Sequence, residues 1–92
     1  MAVKSVLVLA RDDHDEAMRV AAGLTIFGHR VRLVFMARPL SPAIGESDNA
    51  ELLELAGITP ETTIAQSGLE LPLVDADGLG DAIARSDVVV NI

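Results

Sequence analysis

Residues 6–10, Val-Leu-Val-Leu-Ala, run apolar without a break after a short polar start at Lys4 and Ser5. A continuous β-branched and Leu-rich run, rather than an alternating one, predicts a parallel strand covered on both faces. Arg11-Asp12-Asp13 ends it. A helix is predicted over 14–27, with Asp12 or Asp13 as N-cap, Asp15 and Glu16 in the first turn, and Gly28 as the terminating glycine. Its apolar residues fall into two stripes. Ala17, Val20, Ala21, Leu24 and Phe27 are assigned to the helix's own sheet. Met18, Ala22 and Ile26 point elsewhere, and only Arg19 and Thr25 interrupt the wrap. A helix apolar nearly all round is buried on more than one side, so Met18, Ala22 and Ile26 are expected to form a subunit interface.

Residues 30–36, Arg-Val-Arg-Leu-Val-Phe-Met, begin alternating and end as an apolar run, which predicts a second strand and completes a βαβ unit. Two prolines and a glycine mark 37–47 as a loop. Asp48 with Glu51 three residues on has the capping-box relation that opens a helix. Leu52, Leu53, Leu55 and Ala56 are expected to pack this helix, and Gly57 to end it. A short strand is expected over 62–65, broken by Gln66-Ser67-Gly68. Pro72 restricts 69–74 to a short or edge strand. Asp75 or Asp77 caps a last helix through Ala84, with Leu79, Ala82 and Ile83 inward, before a strand over 87–92. The order β-α-β-α-β-(β)-α-β predicts one α/β domain over residues 1–92. Its architecture is three-layer α/β/α, with a small, mostly parallel sheet of four to five strands.

Composition narrows the function more by exclusion than by assignment. Half of the 92 residues are hydrophobic, which argues against disorder. There are two Phe and no Tyr or Trp, so the stacking platforms of single-strand and RNA readers are missing. The net charge of −7 opposes nucleic-acid backbones and anionic membranes. With no Cys, disulfides, thiolate metal sites and cysteine nucleophiles are excluded. No segment resembles an anchor or an address, so a cytoplasmic location is the default expectation, with no nucleic-acid or membrane partner. The charge is uneven: residues 1–38 sum to +2 and residues 39–92 to −9. Such halves attract each other within one domain, or steer copies of the chain together.

The densest polar group is Arg11-Asp12-Asp13-His14-Asp15-Glu16, placed after the first strand, where open α/β sheets form their ligand crevice. Four carboxylates and an imidazole could hold a divalent cation. The same residues are what a helix N-terminus favours, and consecutive residues cannot all converge on one ion. The expectation is no bound metal, no catalytic residue and no cofactor, with His14 as a solvated first-turn residue. Arg11 and Arg38 follow adjacent strands and could hold a small anion or nucleotide, or pair with neighbouring acids. A receiver-like reading on Asp12 and Asp13 stands as a further alternative, although no Lys follows Lys4 to complete such a site. No G-x-S-x-G elbow is present, and Gly78-Leu79-Gly80 is not a dinucleotide fingerprint.

Two stretches together resemble a known family. Residues 7–36 (LVLARDDHDEAMRVAAGLTIFGHRVRLVFM) are similar to the opening of DsrE/DsrF/DsrH-like (Tus-type sulfur-relay) proteins: a strand, an Ala-rich helix, then G-H-x-V and an apolar strand with Phe near its end. Residues 71–90 (LPLVDADGLGDAIARSDVVV) are similar to the family's ending, where a short helix leads through an S-D step into the terminal strand. The resemblance implies a DsrE-like α/β fold and assembly into homo-oligomers or hetero-oligomers with related subunits, as dimer, trimer or hexamer. Active members carry sulfur as a cysteine persulfide in the loop after the third strand. Here that loop corresponds to residues 64–68 and has no Cys, so no catalytic residue carries over. Gln66 and Ser67 in it join Arg11, Asp12, His14 and Arg38 as candidate ligand-binding residues. The implied role is a non-catalytic oligomeric subunit, related to intracellular sulfur relay or sulfur oxidation.

Overall fold

The computed structural model describes residues 3–37, 48–64 and 71–92. Strand β1 (Ser5–Ala10) leads into helix α1 (His14–Ile26), strand β2 (Arg30–Phe35), helix α2 (Asp48–Ala56), strand β3 (Glu61–Thr62), helix α3 (Ala76–Arg85) and strand β4 (Val88–Asn91). The four strands form one parallel sheet in the order β3-β2-β1-β4. Leu73 adds a single parallel bridge outside β3, at Thr62. The strand expected over 62–65 is therefore two residues long and begins one residue earlier.

Chain direction explains the layers. From β1 to β3 the strands step one way, and both crossover helices, α1 and α2, pack on one face. The connection to β4 then reverses, crosses β2 and β1, and places α3 on the opposite face. This is how right-handed crossovers distribute helices over a parallel sheet. Side chains alternate across the sheet accordingly. Val6, Val8, Ala10, Leu33 and Phe35 form the first core, with Ala17, Met18, Ala21, Ala22 and Leu53 from the helices. Leu7, Leu9 and Val34 form the second, with Ala82 of α3.

Local signals define the helix ends. The Asp13 carboxylate accepts the Glu16 N–H at 3.0 Å, and Asp75 accepts that of Gly78 at 2.7 Å, as N-caps do. Gly28 at φ +91° and Gly57 at φ +79° stop α1 and α2 in the left-handed conformation that glycine adopts without steric cost.

Three packing expectations need correction. Met18 and Ala22 are buried within the protomer at 1% and 2% exposure, so they offer no free surface for a subunit contact. The flank they occupy is taken by α2, which packs along α1 on the same face, with Asn49 donating to the Asp15 carbonyl. Ile26 is exposed in the protomer, and so is Phe27, which the helical stripe places on the sheet side. Both lie at the carboxyl end of α1. On α2 only Leu53 is buried, while Leu52 and Leu55 face outward; on α3, Ala82 is buried and Ile83 is exposed.

Candidate functional site

The sheet reverses its winding between β1 and β4, and the carboxyl ends of those strands are where open α/β sheets form a crevice. Arg11 and Asp12 lie there. Their backbone N–H groups both donate to the Ile92 carbonyl, at 3.2 and 3.0 Å. The Arg11 guanidinium donates through Nε to the Asn91 side-chain oxygen at 2.8 Å. Arg11 therefore ties the end of β1 to the end of β4. Asp12 is exposed and also engaged. Arg38, Gln66 and Ser67 lie outside the described residues.

His14 departs most from expectation. The ring is buried at 2% exposure, not solvated. It packs against Phe35 with ring centroids 4.9 Å apart, and Nε2 lies 3.2 Å from the Met36 carbonyl, an acceptor. A carbonyl can only accept, so this nitrogen carries the proton. His14 thereby fastens the start of α1 to the end of β2. Ala37 follows directly in the left-handed region at φ +70°, where a Cβ costs on the order of 1 kcal/mol. The buried imidazole thus anchors the last residues of β2, next to the one positive-φ alanine among the described residues. Sequence periodicity could not find this, because His14 stands at the first position of its helix, before any stripe is established.

The acidic run takes structural roles. Asp13 caps α1, and the Asp15 carbonyl accepts from Asn49. Glu16 accepts from the Arg19 guanidinium through both carboxylate oxygens. This contact holds the Glu16 carboxyl below its ordinary range and raises the guanidinium. Among the described residues, no three carboxylate or imidazole side chains converge as metal ligands.

A second concave region lies at the opposite end of the sheet beside α3. This groove of about 220 Å³ is lined by Ser5, Arg30, Arg32, Arg85 and Ser86 among others. Arg32 binds Glu61 through two nitrogens at 2.6 and 2.8 Å, which raises the guanidinium pKa. Arg85 pairs with Asp81 one helical turn away at 3.0 Å. Two of the three guanidiniums are thus matched by carboxylates of the same domain. The groove's signal in the sequence was the Arg-Val-Arg alternation opening β2, which sets both guanidiniums on the α3 face.

Comparison with known proteins bears on the fold. The ychN protein from E. coli, known from its crystal structure, superposes with a TM-score of 0.65 over 99% of this chain and 100% of that one, at 18% sequence identity. The fold is DsrE-like. No protein-family model matches the chain, and no curated protein matches its sequence. Of the segment 64–68 that follows the third strand in sequence, residues 65–68 lie outside the described residues, and the chain contains no Cys. No helix among the described residues is long and apolar enough to cross a membrane.

Proposed function

We propose that the chain is a non-catalytic DsrE-like subunit that acts within an oligomer, in a role tied to intracellular sulfur relay or sulfur oxidation, without carrying sulfur itself. One observation carries this reading: a DsrE-like fold spans the whole chain, while the chain contains no thiol. A persulfide needs a thiolate, and the thioether of Met18, buried in the core, cannot substitute. Without a thiol, its contribution to sulfur relay is surface and shape, the task of a partner subunit.

The test is exposure to a persulfide donor followed by intact-mass measurement, beside a Cys-containing DsrE-like protein as positive control. The expected result is no stable gain of a sulfur atom on this chain. A stoichiometric adduct here would overturn the reading. A sulfur-transfer assay between a Cys-containing DsrE-like carrier and its acceptor should change in rate when this chain is added. An unchanged rate, with no association between the chain and the carrier, would count against it equally.

A further inference from the structure

We propose that β4 is the contact edge between two copies of this chain, joined antiparallel into one continuous eight-stranded sheet. The proposal deepens the oligomeric-subunit reading and rests on it.

The argument starts from which backbone groups of β4 are already engaged. Among the described residues the strand pairs only with β1, and no strand lies beyond it. Its register sets Val6 opposite Val88 and Val8 opposite Val90. On β1, Ser5 and Leu9 turn their carbonyls toward this side, since Ser5 O accepts from Asp87 and Leu9 O accepts from Ile92. The Ile92 carbonyl in turn accepts from Arg11. Parallel ladders alternate, so Val88, Val90 and Ile92 point their backbone groups inward at β1. Val89 and Asn91 therefore point N–H and C=O outward, away from the sheet. Such a row is a template for another strand.

Three features favour a second copy over another occupant. The first is two-fold self-complementarity. With Val90 opposite Val90 of the second copy, Val89 of each copy faces Asn91 of the other, and all four outward N–H groups meet outward carbonyls. The second is side-chain matching in that same register. Val90 and Ile92 pack on the first core, and Val88, on the same face, is 38% exposed. Pairing sets Val88 against Ile92 and Val90 against Val90, an apolar ladder that extends this core across the two-fold axis. The third is the lack of the usual protection. Residues 88–92 contain no Lys and no Pro, the residues that blunt free edges. The opposite side of the sheet is unsuited: β3 is two residues long and Leu73 already bridges it.

Sedimentation equilibrium and backbone amide hydrogen exchange on the full chain test this together. The expected particle is an even-numbered assembly at tens of micromolar. The Val89 and Asn91 amides should gain protection as concentration rises, while those of Val90 and Ile92 stay protected throughout. Asn91→Pro removes an outward N–H from an exposed residue and should weaken the association at least about tenfold, since two hydrogen bonds per pair are lost. Should that variant fold poorly, the exchange pattern of the wild-type chain decides alone. A monomer at high micromolar concentration would overturn both this proposal and the oligomeric reading. A stable oligomer with fast-exchanging Val89 and Asn91 amides would overturn the β4 edge and leave the oligomeric reading standing.

Discussion

The two faces of the sheet are built from the same strands and yet differ in kind. On one, α1 and α2 lie side by side and seal Val6, Val8, Ala10, Leu33 and Phe35 against small and flexible helix residues. On the other, α3 is the one described helix over Leu7, Leu9 and Val34, and the start of β2 emerges as Arg30 and Arg32 beside a groove. Two helices close a face and one helix leaves part of it to charge. The sheet side chains under α1 and α2 are out of reach of solvent, whereas Arg30 and Arg32 on the other face meet it.

That contrast can be broken first at Met18. Met18→Glu puts a carboxylate where α1 meets α2 and should unfold the chain, because a buried unpaired charge costs several kcal/mol or is neutralised at a similar penalty. Circular dichroism reads the outcome. A folded variant that had merely lost its oligomeric state would restore the α1 interface. Phe35→Ala comes next: the ring is fully buried and supports His14, so the loss should be about 3–5 kcal/mol in urea denaturation. On the thinner face, Leu79→Ala should cost about 1–2 kcal/mol, because that side chain is only half-buried against its core. A loss equal to that at Phe35 would show the faces to be energetically alike.

Smallest is Arg32→Ala. The pair with Glu61 is bidentate, but nearly half of the Arg32 side chain meets solvent. Its removal should cost about 1 kcal/mol or less, and the difference from wild type should shrink at high salt. A salt-independent loss would mean that Arg32 stabilises by packing its stem, not by charge.

Element types were readable from the sequence because each rested on local chemistry. The unbroken run at 6–10 marked a doubly covered strand, Asp13 and Asp75 marked helix starts, and Gly28 and Gly57 marked helix ends. What failed was the choice of neighbour. The stripe of Met18, Ala22 and Ile26 is real, but periodicity shows that a flank is apolar without showing what covers it. Here α2, packed along α1 on the same face, covers Met18 and Ala22, while Ile26 and Phe27 at the helix end stay exposed. The candidate site was legible only in part. Arg11 does sit at the winding reversal of the sheet, yet its partner Asn91 lies 80 residues away, and the arginines of the groove come from β2 and α3. Contacts set by topology of this kind leave no trace in spacing.

The central claim is that this chain acts as an assembled subunit that carries no sulfur, and native mass spectrometry after exposure to a persulfide donor tests both halves in one spectrum. The account predicts particles at an even multiple of the 9.7 kDa chain with no added sulfur. A particle at the mass of a single chain, or one bearing covalent sulfur, would contradict it.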